Sequence, residues 1–125
     1  MPTANQNSSG YKAFQATGVA IGRGKRVFAD SSNPPLIAAA DHNVGAIGVT
    51  IEAIAANGVG TVKLFGGPGT FLMCANAAIT CSAQIYPTDG GNIDDAGTTA
   101  LPLVALEAAT AAGDIIEVGP LLLGA

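Results

Sequence analysis

Turn signals recur along this chain at roughly eight- to twelve-residue intervals, the spacing of an all-β domain built from many short strands. They include Gly22-Arg23-Gly24-Lys25, Ser31-Ser32-Asn33-Pro34-Pro35, Asn57-Gly58, Gly66-Gly67-Pro68-Gly69 and Pro87-Thr88-Asp89-Gly90-Gly91. Each breaks a regular ladder, because glycine and asparagine reach conformations that other residues avoid and proline lacks an N–H. The runs between them are short and apolar. A hairpin or two short strands are expected in Thr17–Asp30 and strands in Ala46–Glu52, Thr61–Phe65, Thr70–Cys74, Leu101–Glu107 and Ile115–Val118, with Gln84–Tyr86 short and extended, Leu36–Ala40 a short apolar run and Leu121–Leu123 closing the chain. Residues 75–82 read as a loop or helical turn, and 92–99 as a loop with Asp94-Asp95 at its tip.

One segment competes with this reading. Leu103–Ala112 is rich in Ala, Leu and Glu and taken alone has high helix propensity. An internal repeat argues against the helix. Gly48–Gly58 matches Pro102–Gly113 when Glu52 is set on Glu107, with Ala53 on Ala108, Ala56 on Ala111 and Gly58 on Gly113. An apolar run follows each copy, Val62–Phe65 and Ile115–Val118. The first copy carries β-branched Val49, Thr50 and Ile51 and ends in Asn57-Gly58, a hairpin signal. Both copies therefore read as strand–turn–strand. The expected fold is all-β, a small compact barrel- or sandwich-like domain with an extended N-terminal arm and a short helical turn at most. Residues 1–16 form the arm and 17–125 a single β domain, with the related units at about 46–65 and 101–118.

Composition restricts function. Of 125 residues only 11% are charged and 5% aromatic, Trp is absent, and Gly and Ala together make up about a third. A folded chain of this mass exposes about 6,000 Å², so its charges are sparse on the surface, and that favours a surface partly covered by partners. The net charge of −4 and the few aromatics argue against a nucleic-acid binder. The first ten residues have neither a basic region nor an apolar stretch, so no classical export signal is expected. The long uncharged run Leu64–Thr88 is interrupted by Gly, Pro, Asn and Gln, so no membrane span is expected. Cys74 and Cys81 read as small buried hydrophobes.

No constellation for chemistry emerges. Gly22-Arg23-Gly24-Lys25 lacks the upstream Gly and the following Ser or Thr of a phosphate loop. His42 is the sole histidine, and its neighbour Asp41 would point to the opposite face of a strand. Asp89, Asp94 and Asp95 lack calcium-loop spacing and read as a solvated tip spanning Asp89–Gly97. Glu52 and Glu107 are expected to serve backbone donors at their turns or to face solvent. Lys63 lies inside a strand, which excludes a swinging-arm carrier. The expectation is no catalytic residue, no cofactor, no metal and no small-molecule substrate. Charge is nonetheless segregated: residues 1–29 hold Lys12, Arg23, Lys25 and Arg26 with no acid, while residues 30–125 hold nine acids and Lys63. This asymmetry suits docking on an acidic surface, including a second copy. Tyr11, Phe14, Arg23, Lys25 and Arg26 are the expected partner contacts.

The order of these segments resembles a known family. A basic Gly-containing hairpin is followed by Ala46–Gly58, an apolar strand ending in Gly, Ala77–Thr80, Gln84–Tyr86 leading to Asp89-Gly90, and finally Leu103–Val118. Over about residues 17–120 this is similar to the DUF2190-like capsid decoration, or cement, proteins of tailed phages. Ser82-Ala83 stands where that family often has a Gly. The resemblance implies a β-barrel-like structural protein on the outer surface of the virion. Its implied partners are the major capsid protein and copies of itself, frequently as trimers. The alternative expectation is a carbohydrate- or host-surface-binding module of a phage fibre or tail.

Overall fold

A computed structural model describes residues 9–121. Residues 1–8 of the expected arm and the end of the Leu121–Leu123 run lie outside the described residues. The fold is all-β: the described residues form ten strands and one 3-10 turn, Asp89–Gly91. Strands β1 (Tyr11–Ala16), β2 (Arg26–Ala29), β3 (Leu36–Ala39), β4 (Gly48–Thr50) and β5 (Val59–Leu64) close a barrel in the order β1-β3-β2-β4-β5. Strands β6 (Phe71–Cys74), β9 (Leu103–Ala105) and β10 (Ile115–Pro120) form a sheet with β10 central, and β7 (Tyr86–Pro87) pairs β8 (Ile93–Asp94). Leu103–Ala112 is not helical: β9 leads into an irregular turn, as the repeat required.

The second set of strands repeats the first. Isolated bridges Ala75↔Ile93 and Gln84↔Val104 join β6 to β8 and β7 to β9, which gives the same cyclic order as the first barrel. The registers agree pair by pair. Phe14↔Gly60 corresponds to Met73↔Ile116, and the parallel contact Ala16↔Ile37 to Ala75↔Ile93. Arg26↔Val49 corresponds to Gln84↔Val104, Phe28↔Ala38 to Tyr86↔Asp94, and Thr50↔Val62 to Ala105↔Val118. Ile21↔Ile54 corresponds to Ile79↔Ala109. The strand–turn–strand repeat is thus the C-terminal part of a duplication spanning the described chain. The pattern occurs first as a closed barrel and then as a three-stranded and a two-stranded sheet that those bridges link into a second, barrel-like set.

Each barrel has its own core. The first is Phe14, Ala16, Ile21, Val27, Ile37, Ile54 and Val62. Their counterparts Met73, Ala75, Ile79, Ile85, Ile93, Ala109 and Val118 all lie in the second. The two cores fill space differently at one place. In the first barrel Ile54 lies over Gly60, where a Cβ would fall 2.3 Å from Ile54 Cγ1. In the second, Ala109 stands for Ile54 and Ile116 for Gly60. The same space is filled from the turn in one barrel and from the strand in the other, as close packing requires.

Several expectations change here. Tyr11–Ala16, assigned to an arm without strand period, is β1, and it pairs along its length with β5. Its two inward residues, Phe14 and Ala16, are buried, a period-two pattern too short to stand out among Asn, Gln and Ser. The segment Asp89–Gly97 is not wholly an outward tip, because Gly91 and Ile93 are buried and Ile93 is a core residue. Both cysteines are free, but Cys81 is exposed and only Cys74 is buried. The repeated acids serve backbone donors: Glu52 Oε2 accepts from Thr61 N at 3.2 Å, and Glu107 Oε1 from Glu117 N at 2.7 Å. Gly24, at φ +75°, has Ser82 at φ 72° as its counterpart, so the left-handed turn persists without glycine. In both turns this residue's N–H reaches the barrel's penultimate strand, Gly24 N to Thr50 O and Ser82 N to Ala105 O.

Candidate functional site

The seam between the barrels gathers most of the chain's unusual chemistry. Arg26 begins β2, where register with Val49 turns its side chain toward the second barrel. It is only 1% exposed. Its Nε donates to Asn92 O at 3.2 Å, and its Nη2 donates to Ala40 O at 3.1 Å and Thr88 O at 2.6 Å. Burial holds the guanidinium below the usual arginine range, and the fields of Asp41 and Asp89 oppose that shift. Arg26 makes no ion pair with a carboxylate among the described residues, where the one ion pair is His42–Asp89. Lys25 Nζ reaches Asn92 Oδ1 and Cys74 Sγ across the same seam. Lys63 Nζ donates to Thr70 O and lies 4.8 Å from the Phe71 ring centroid.

A reciprocal clasp lies beside Arg26. His42 Nδ1 is 2.6 Å from Asp89 Oδ1, which also accepts from His42 N at 3.1 Å, while Gly90 N donates to Asp41 Oδ1 at 3.1 Å. These bonds, the side-chain contact foremost, hold the Asp89 carboxyl below the usual carboxylate range. They tie the 41–43 corner of the first barrel to the 89–91 turn of the second.

Two surface features flank the seam. One is a cleft of about 780 Å³, with Phe65, Phe71, Leu101 and Leu103 in its apolar lining and, among the described residues, Arg26 and His42 as its charged or titratable members. Phe65 and Phe71 pack against each other at 5.1 Å between centroids, with their ring planes tilted by 55°. The other is an apolar face. Tyr11, Ile51 and Leu72 are each more than two-fifths exposed, and they rim a shallow depression of about 160 Å³ together with Arg23 and Lys63. Leu106, equally exposed, is the counterpart of Ile51: Ile51 N donates to Thr61 O and Leu106 N to Glu117 O.

The five expected contact residues therefore separate. Tyr11 and Arg23 are exposed on this apolar face. Phe14 is a core residue, Arg26 is buried in the seam, and Lys25 is half-buried with its amine engaged there. Charge and aromaticity in sequence do not separate a surface cation from one that cross-links two barrels. Ile51, Leu72 and Leu106 were not singled out, because an exposed aliphatic residue in a strand reads the same as a buried one. Among the described residues no group of three or more His, Cys, Asp and Glu could hold a metal ion, and no helix is long and apolar enough to cross a membrane.

The fold and seam define a class, a small all-β protein in which a closed five-stranded barrel and a second barrel-like set of five strands in the same order are joined by buried polar contacts. Among solved structures, the chain is similar to the N base of the head fiber protein gp8.5 of bacteriophage phi29. The TM-score is 0.71 at 13% sequence identity, over 86% of this chain and 92% of that one. At that identity the likeness establishes a shared fold. No family model and no curated protein matches the sequence.

Proposed function

We propose that this chain is a structural protein of a phage head. It binds the outer surface of the assembled shell, bridges major capsid subunits and associates with its own copies as a trimer. It works by burying surface rather than by chemistry. The observation that carries this reading is the likeness, over nearly the whole of both chains, to the base of a phage head fiber. The sparse surface charge and the apolar face of Tyr11, Ile51 and Leu72 support it, because contiguous exposed apolar surface marks interaction sites. Arg23 sits on that face and suits an acidic partner surface. The same likeness favours a second reading within this class, an anchor that holds a fibre to the head.

Cosedimentation with emptied heads and with unassembled capsid subunits, alongside light scattering of the protein alone, tests the proposal. Saturable binding to heads but not to free subunits is expected. Ile51→Lys with Leu72→Lys should lower occupancy at least tenfold without changing the far-UV spectrum, and Arg23→Glu should lower it less. Absence of binding to heads would overturn the proposal, and a specific hit on a glycan array would replace it with a host-surface module.

A further inference from the structure

The cleft at the seam has a cationic floor that no described carboxylate touches directly, although Asp41 and Asp89 lie near enough for their fields to reach it. A guanidinium has five N–H donors. Arg26 uses the one on Nε and the two on Nη2 for backbone carbonyls, while Nη1 has no hydrogen-bond partner among the described residues. The side chain lines the cleft, and no described carboxylate pairs with it. Around this cation the walls are apolar, with Phe65, Phe71, Leu101 and Leu103. A cation held in a largely apolar recess interacts strongly with an incoming anion, because little water screens it.

The recess also continues into a polar annex. A neighbouring depression of about 590 Å³ shares His42, Asn43, Pro87 and Thr99 with the cleft. Asn76, Thr88, Thr98 and Asp89, the last paired with His42, also line it, and Thr88 Oγ1 is buried without a partner among the described residues. Amide and hydroxyl side chains in the annex, with apolar walls and a buried cation in the cleft, match an extended peptide whose acid lies at the cleft end, away from Asp89. Its backbone would meet the amides and hydroxyls, its apolar side chains the walls, and a carboxylate the cation.

We propose that the inter-barrel cleft is a docking site for an extended apolar peptide segment carrying an Asp or Glu, with that carboxylate on Arg26 Nη1. The inference goes beyond the head-binding reading and rests on it only for the origin of the segment, a neighbouring protein of the assembly.

The probe is a displayed library of random twelve-residue peptides, panned on the full chain in the absence of heads. Enriched peptides are then synthesised and titrated against the wild type and two variants. Arg26→Gln removes the charge but also weakens the fold, so the second variant is Val44→Glu. It places a like charge at the cleft's exposed lip and disturbs no buried group. Enriched peptides should share one acid among apolar residues. They should lose at least tenfold in affinity when that acid becomes its amide, and at least tenfold against Val44→Glu. Enrichment of peptides indifferent to both changes would overturn the proposal, as would no enrichment, or decanoate binding as tightly as the best peptide. None of these outcomes depends on heads, so they leave the cosedimentation result independent.

Discussion

The exchange of bulk between the two barrel cores can be transplanted. Ile54→Ala in the first barrel removes a side chain that is 2% exposed, and buried Ile→Ala changes cost about 2–5 kcal/mol. Gly60→Ile alone places a Cβ 2.3 Å from Ile54 Cγ1 and 2.6 Å from its Cδ1. The strand must shift to relieve that overlap, at a cost of about 1–3 kcal/mol or more. The double variant reproduces the arrangement of Ala109 and Ile116. The new side chain fills the cavity that the first change opens, and the first change removes the clash that the second creates. The double variant should therefore be less destabilised than the sum of the singles by about 2–3 kcal/mol, at the upper end of coupling energies for residues in contact. Urea unfolding of the four proteins in a double-mutant cycle, with m-values compared to confirm a common unfolding transition, measures this directly. Additivity within about 0.5 kcal/mol would refute the equivalence of the two barrels at this position.

Three further predictions follow from the seam and the turns. Arg26→Met keeps much of the side-chain volume but leaves Thr88 O without a donor and removes one of two donors from Ala40 O and Asn92 O, which also accept from Gly91 N and Thr88 N. It should cost about 2–5 kcal/mol, read as a drop in urea midpoint, and a loss below about 1 kcal/mol would show that water replaces the guanidinium. Ser82→Gly relieves a left-handed residue and should raise stability by up to about 1 kcal/mol, seen as a higher thermal midpoint. The third prediction concerns acid. Asp30 accepts from Leu36 N and Ser32 N, Asp114 from Thr110 and Ala111, and Asp89 from His42, and all three carboxyls are held below their usual range. A folded-state pKa below the unfolded one stabilises the fold above the unfolded value near 4 and ceases to do so as pH falls through the folded values. The urea midpoint should therefore be flat from pH 7 to 5 and fall below about pH 4. Asp114→Asn should flatten that fall, and an unchanged acid limb would contradict the assignment.

Local chemistry determined the class of fold. The turn at Asn57-Gly58, the prolines at 34, 35 and 87 and the short β-branched runs between them favour short strands, and over Leu103–Ala112, where no breaker stands, the repeat argued against a helix. The Glu52/Glu107 repeat is visible in the sequence, because a turn and the carboxylate that serves it are close along the chain. The rest of the duplication was hidden. Ala16 and Ala75, Ile21 and Ile79, and Ile37 and Ile93 occupy matching places in the two barrels. Small apolar residues recur throughout this chain, however, and isolated matches among them carry no register. Only the ladders that pair distant strands reveal them.

The candidate site was legible only in fragments for the same reason. The sequence by itself determined that basic residues cluster before position 30 and that Glu52 and Glu107 recur in equivalent settings. Tertiary structure decided what each does. It left Arg23 at the surface, drew Arg26 into a seam against carbonyls 14, 62 and 66 residues away, and set Phe14 inside a barrel. Burial of a side chain depends on which strands lie across from it. In a fold held by long-range pairing, that is settled by closure of the barrels and not by a residue's own neighbours in the chain.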